Sequence, residues 1–261
     1  MTVPVSVVIP AHNSELTIRR TLESVLHQTE LPLEIIVVDD CSTDSTIEIV
    51  GELANEPNSL IRLKRLTSNV GPSQTRNSGW DEATSEFVAF LDSDDSWHPR
   101  KLEIQTKWML EHPEHPVSGH LTGSSFPYPI DEACPVRKFN LTDFLVRNRI
   151  STPTVMVRKS IPERFDSNSW YAEDYDLWLQ ILSRVKVLAR IELPLTQLHK
   201  ADYGEAGLSS HLLPMFRGEV QAVRNLYKKR HIPKTTLLFA QLWMSIKFLR
   251  RLIVTRMRRP K

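Results

Sequence analysis

The hydrophobic pattern of the chain opens on short, nearly unbroken apolar runs. Val5-Ser6-Val7-Val8-Ile9 stops at Pro10, Glu34-Ile35-Ile36-Val37-Val38 stops at Asp39, and Phe87-Val88-Ala89-Phe90-Leu91 stops at Asp92. Runs of this length, bounded by turn formers, predict strands buried on both faces. Between them the period changes to that of a helix. Ile18, Leu22, Val25 and Leu26 lie on one face, with Asn13 or Ser14 as the cap; Ile47, Val50, Leu53 and Ala54 lie on another, with Ser42 or Thr43 as the cap. A third short strand is expected near 60–63, a loop at Asn69-Val70-Gly71-Pro72 and a helix over 73–82. Strand–helix–strand alternation at this spacing predicts a parallel, doubly wound α/β sheet over the first 95 residues.

The pattern loosens after Trp97-His98-Pro99. A helix carrying Leu102, Gln105, Trp108 and Met109 should end before Pro113, and 118–136, with three prolines and two glycines, reads as an irregular surface stretch. Strands are expected at 154–157 and 185–191. Asp174 should open an amphipathic helix with Leu177, Trp178, Ile181 and Leu182 on its inner side, Trp178 being core. Two further helices should cover 212–227 and 235 to about 257.

Candidate chemistry gathers at strand ends. Asp39-Asp40 and Asp92-Ser93-Asp94-Asp95 directly follow buried runs, and Glu173-Asp174 with Asp176 opens a helix. In an open α/β sheet the C-terminal ends of the strands form the ligand-binding rim. Crowded carboxylates repel unless a cation or proton neutralises them, so Asp-X-Asp at a strand end points to a divalent metal shared with a polyanionic ligand. Taken alone, Asp39-Asp40 is also explained by turn-forming bonds, Pro10 by a strand stop, Arg76 by a surface arginine and Asp174 by a helix cap.

Composition adds one thing. The formal net charge is only +2, but from residue 220 onward there are 12 Lys and Arg and no Asp or Glu, leaving 21 basic and 31 acidic residues before it. The body is acidic, and the tail is suited to an anionic partner. Leu238, Leu242, Ile246, Leu249 and Ile253 share one face of the last helix, with Lys247, Arg250, Arg251 and Arg258 opposite. Gln241, Ser245 and Lys247 interrupt the apolar run, making it too polar to span a bilayer but suited to lying on an anionic one. Packing on the domain with solvated arginines explains the pattern equally well. No recognition module accompanies the charge, so no nucleic-acid partner is expected. Cys41 and Cys134 have neither metal-knuckle nor disulfide spacing, and Met1-Thr2-Val3-Pro4 runs directly into a strand. A cytoplasmic setting is expected, peripheral on the inner face of the cell membrane.

VVIPAHN at 7–13, IIVVDDCSTD at 35–44, Asn69-Val70-Gly71, Arg76-Asn77-Ser78-Gly79, FLDSDD at 90–95 and Glu173-Asp174 together, in this order, resemble family 2 glycosyltransferases. The likeness runs from about residue 5 to 195. It implies the GT-A fold: a Rossmann-like nucleotide-binding half (1–95) and an acceptor half (96–210), followed by a basic C-terminal helical region (211–261). The implied reaction is inverting transfer of a sugar from a nucleoside diphosphate donor, expected to be UDP-linked, to a hydroxyl of a glycan or glycolipid. The commonest setting of such relatives is bacterial cell-surface polysaccharide synthesis.

The resemblance also assigns roles. Asp39 would select the base through an imide N–H, with Pro10, Ala11, Asn13, Asp40 and Asn69 around the nucleoside and Arg76 at the diphosphate or the base. Asp94 would ligate Mn²⁺ or Mg²⁺, with Asp92 and Ser93 toward the ribose or the metal's water. Asp174 would be the general base and Glu173 its less favoured neighbour. Two departures stand out. Cys41 occupies a position where relatives often carry glycine. Leu198-His199-Lys200 and Ser209-Ser210 replace a Tyr-Arg-X-His and serine that close over the diphosphate. The competing readings are a nucleotidyltransferase, for which the glycine-rich basic loop is missing between Pro10 and Glu15, and a non-catalytic membrane- or glycan-binding protein on the same fold.

Overall fold

The computed structural model describes residues 2–126, 134–199 and 211–258, with side chains to residue 255. The apolar runs become β1 (Thr2–Ala11), β2 (Leu31–Asp39), β3 (Ile61–Arg65) and β4 (Phe87–Phe90), all parallel and ordered β3-β2-β1-β4. Helices α1 (Ile18–Leu26), α2 (Thr46–Ala54) and α3 (Gly71–Glu82) connect them. Val5, Val7, Ile9, Ile35, Val37, Phe87 and Ala89 are fully buried between the helical layers, which is why these strands carry no polar alternation. The sheet continues beyond β4 as β8 (Met156–Arg158), β6 (Val117–Gly123), β9 (Val187–Gln197) and the two-residue β5 (Ser96–Trp97); β7 (Val136–Asn140) also pairs with β9. Strand β8 runs antiparallel to both β4 and β6, whereas β6 and β9 are parallel. A mixed, mostly parallel α/β sheet results.

The chain forms two compact units that are discontinuous in sequence, in contrast to the linear division expected at 95 and 210. One comprises Met1–Lys138, Ile150–Pro162 and Leu188–His199; the other comprises Phe139–Arg149, Glu163–Val187 and Lys200–Lys261. The first holds the sheet and α4 (Lys101–Glu111), whose Leu102, Gln105, Trp108 and Met109 are buried as the periodicity predicts. The second is helical, built from α5 (Leu141–Val146), α6 (Glu173–Val185), α7 (Leu212–Lys228) and α8 (Lys234–Arg258), and Trp178 is core.

Several boundaries differ from the sequence expectation. Strand β6 lies inside the stretch read as irregular. Its Ser118, Gly119 and His120 look like turn formers but are buried between two neighbouring strands, and a Cβ on Gly119 would lie 2.5 Å from a methyl of Ile150. Residues 127–133 of the same stretch are outside the described residues. Helix α1 starts at Ile18 rather than after Ser14, because the Ser14 carbonyl first accepts the N–H groups of Thr17 and Ile18. Helix α2 starts at Thr46; Asp44, not Ser42 or Thr43, accepts the Thr46 N–H. Gly79 lets α3 approach the sheet, since a Cβ there would come within 2.4 Å of a methyl of Val8.

Candidate active site

The acidic residues of the sheet unit converge because β2, β1 and β4 are neighbours and end on the same side. Ala11 pairs with Asp39, and the Asp40 N–H donates to the Ala11 carbonyl at 2.8 Å. Asp39 and Asp40 are nearly inaccessible, at 1% and 4% exposure, and each has protein donors. The Asp39 carboxylate accepts the Ser42 N–H at 3.2 Å. The Asp40 carboxylate accepts the Val70 and Gly71 N–H groups at 2.8 and 2.9 Å, gripping the start of α3, whose N-cap residue Val70 has no capping side chain. With two backbone amides bound to its carboxylate, Asp40 acts as an anchor for the Asn69–Gly71 loop. Gly71 has φ 83° and Cys41 φ 60°. The left-handed conformation at Cys41 accounts for the glycine preference noted at that position.

Around this corner, His12 accepts and donates through both ring nitrogens. With Nδ1–H donating to the Asp40 carbonyl at 2.7 Å, Nε2 accepts from the amides of Asn13 and Asn69, both at 3.4 Å. Asn13, at φ 49°, accepts the Thr43 N–H at 2.8 Å. Pro10, Asn13 and Asn69 keep accessible surface, and Ala11 is buried.

The loop after β4 is fixed by α1. Thr21 Oγ1 hydrogen-bonds the Ser93 and Asp95 carbonyls at 2.9 and 2.8 Å. The Arg20 guanidinium donates to the Asp94 carbonyl at 2.8 Å, and the Ser14 and Ser93 hydroxyls pair at 2.8 Å. Arg76, almost buried on α3, forms an ion pair with Asp92 at 2.8 Å. Arg76 therefore orients one acidic residue of the Asp-X-Asp element. His199 reaches the same loop: its Nε2 lies 2.8 Å from Ser96 Oγ. Partial burial and Arg20 push the His199 pKa below the usual histidine value, and Asp94 opposes them. Lys200, Ser209 and Ser210 fall outside the described residues.

Asp92 and Asp94 are hard oxygen donors two residues apart on a loop whose shape protein contacts already fix. They fit a Mg²⁺ or Mn²⁺ ion that draws its other ligands from a diphosphate and water. Among the described residues no group of three or more His, Cys, Asp or Glu forms a cage of its own.

Glu173 and Asp174 lie in the helical unit as the first two residues of α6. Ala172 before them has φ 56°, a left-handed conformation costly for a residue with a Cβ. One Asp174 oxygen accepts the Tyr175 N–H at 2.6 Å and the other accepts from the Asn148 side-chain amide at 3.2 Å. Burial raises the Asp176 pKa above the usual carboxylate value, against hydrogen bonds from Asn225 and Gln180; Asp176 thus serves packing between α6 and α7. Gly218 on α7 makes the closest approach to this turn, since a Cβ there would meet the Tyr171 carbonyl oxygen at 2.3 Å.

Sequence reasoning passed over Thr21, Arg20 and Asn148. Thr21 had a usable signal, a polar residue on the buried stripe of α1 beside Ile18, Leu22 and Val25. Asn148 had none, because its partner is 26 residues away.

An open α/β sheet binds its ligands at the carboxyl ends of the strands, where this chain fixes its acidic loop. Residues 6–154 match the sequence profile of Glycosyl transferase family 2. The chain is 33% identical over 180 residues to the UDP-Glc:alpha-D-GlcNAc-diphosphoundecaprenol beta-1,3-glucosyltransferase WfgD of Escherichia coli, covering 68% of this chain and 69% of that one. Its fold is shared with S. aureus TarS 1-349 in complex with UDP-GlcNAc (TM-score 0.68, 22% identity, 96% of this chain and 72% of that one). It is also shared with the mannosyltransferase PcManGT of Pyrobaculum calidifontis in complex with GDP-Man and Mn²⁺ (TM-score 0.69, 17% identity, 100% of this chain and 77% of that one). The chain belongs to glycosyltransferase family 2 and has the GT-A fold; it is a nucleotide-sugar glycosyltransferase.

Proposed function

We propose that this enzyme transfers a sugar, with inversion, from a UDP-linked donor to a hydroxyl of a glycan or lipid-linked glycan in bacterial surface-polysaccharide synthesis. The observation that carries the reading is the Asp92–Asp95 loop, locked to α1 and α3 beside the Asp39 strand end. The UDP-glucose donor and lipid-diphosphate acceptor in the name of WfgD support the choice of substrates.

Asp39 accepts the base imide N–H, and Ala11, Asn13 and Asn69 line the nucleoside. Asp94, with Asp92, holds Mn²⁺ or Mg²⁺; when bound, such an ion offsets the charge that develops on the departing diphosphate. Arg76 keeps Asp92 in place and adds positive charge to the corner. Asp174, with Glu173 beside it, removes the acceptor proton as the hydroxyl oxygen attacks. The enzyme works at the cytoplasmic face of an anionic membrane, where a lipid-linked acceptor would be presented.

Calorimetry of UDP binding tests the donor site. UDP should bind at least tenfold more tightly with Mn²⁺ than with EDTA, and Asp94→Ala should remove that difference. Equal affinity in Mn²⁺ and in EDTA for the unaltered enzyme refutes the metal-bridged site.

A further inference from the structure

Helix α8 has two opposite faces. Its inner face holds it to the helical unit. Leu237, Ala240 and Met244 are buried there, and Phe248 stacks on Phe216 with ring centroids 4.6 Å apart. Trp243 Nε1 and Lys247 Nζ both donate to the Val146 carbonyl, at 2.9 and 3.1 Å, and Arg251 pairs with Glu219 at 3.0 Å. Lys247 and Arg251, opposite the apolar stripe as the helical wheel places them, are tied to the protein body. The apolar stripe is on the outer face. Leu238, Phe239, Leu242, Ile246, Leu249 and Ile253 are 50–63% exposed. The helix thus packs on the domain, but through the face opposite this stripe.

Six large apolar side chains in one exposed row exceed the scattered hydrophobics normal on a protein surface. What covers them can be read from charge. No acid occurs in the sequence after Glu219, and that residue is already paired with Arg251. Lys228, Arg230 and His231 line a cleft with Tyr227 at the turn that leads into α8, and Lys234 and Arg250 are exposed along the helix. An apolar row with cations at its edges matches the boundary of an anionic bilayer, where chains meet headgroups. No helix among the described residues is long and apolar enough to cross a membrane.

We infer that α8 lies flat on an anionic phospholipid bilayer, with Leu238, Leu242, Ile246, Leu249 and Ile253 in the acyl boundary. The Lys228–Arg230–His231 turn contacts lipid phosphates. This rests on the proposed membrane setting and assigns it to one helix face.

Flotation of the full chain with vesicles tests it, using phosphatidylcholine alone and phosphatidylcholine with 30% phosphatidylglycerol. The unaltered chain should partition onto the anionic vesicles. Leu242→Glu/Ile246→Glu should lower the partition coefficient at least tenfold, and Lys228→Glu/Arg230→Glu should lower it severalfold and reduce its salt dependence. All four side chains are exposed, so melting temperature and UDP binding should be unchanged; Leu249→Glu provides a second, independent lesion. If the unaltered chain ignores anionic vesicles, the membrane setting itself fails. If it binds them and the α8 variants bind equally well, only the assignment to α8 fails. A dimer in solution that Leu242→Glu/Ile246→Glu dissolves would make a second copy of the chain the occupant and overturn the proposal.

Discussion

His120 offers a quantitative test of the buried interior of the sheet unit. It sits in β6 at 1% exposure, and its Nδ1–H donates to the Leu121 carbonyl at 2.9 Å. Its Nε2 is buried, with no hydrogen-bond partner among the described residues. Burial foremost, then the nearby Lys101 ammonium, lower its pKa from 6.5 to about 3, while the Leu121 carbonyl opposes them weakly. A base whose folded pKa lies below its unfolded value is protonated more readily in the unfolded chain. Unfolding therefore takes up a proton between those two values, and stability falls as pH falls through that window. At one pKa unit per 1.36 kcal/mol, lowering the pH from 7 to 5 should cost about 2 kcal/mol through this residue alone.

His120→Asn removes the titration and keeps a donor for the Leu121 carbonyl. The substitution also leaves a small cavity, which shifts stability equally at both pH values. The informative quantity is therefore the difference of differences: urea unfolding free energy at pH 7 minus pH 5, for the unaltered chain minus the variant. It should be about 2 kcal/mol. Carboxylates held low by hydrogen bonds, such as Glu34 and Glu103, lose their contributions in both proteins and cancel. An indistinguishable pH dependence in the two proteins would refute the assignment of a neutral, buried imidazole.

Two further predictions concern single residues. Lys101 is fully buried, and its Nζ lies 3.6 Å from the Trp97 ring centroid with no hydrogen-bond partner among the described residues; Lys101→Met should raise the unfolding free energy by about 1 kcal/mol or more, read by the same urea titration. Asp174→Asn should cut turnover by roughly a hundredfold with UDP affinity retained. Asn148→Ala, which removes a donor that holds the Asp174 carboxylate in place, should lower turnover while UDP affinity is retained. An Asp174→Asn enzyme with most of its turnover would shift the base to Glu173.

Legibility followed the range of the interactions. The parallel half was readable because Val5–Ile9, Ile35–Val38 and Phe87–Leu91 are buried, nearly unbroken apolar runs, and the acidic stops of the last two fall at the sheet rim. Helices α4, α6, α7 and α8 were readable from period. Strand β6 was not: VSGHLTG carries turn-forming residues, and its strand state comes from pairing with β8 and β9. The roles of Asp40 and Lys247 were equally hidden, since each depends on backbone groups brought close only by the fold.

Carboxylates in the sheet unit fall into two kinds, and the difference bears on function. Glu34, near the start of β2, is driven upward in pKa by burial, but donors from Thr84, Ser6 and Arg62 outweigh this and leave it below the usual value. Asp40, just past the end of β2, is gripped by two α3 amides. Both are saturated by the protein and hold segments together. The Asp92–Asp95 loop is built the other way: α1 and Arg20 take three of its backbone carbonyls, so the loop is fixed through its main chain. Side chains of Asp92 and Asp94 can then exchange partners without the loop losing its shape, which suits the proposed site, where a charged diphosphate would enter and leave at each turnover.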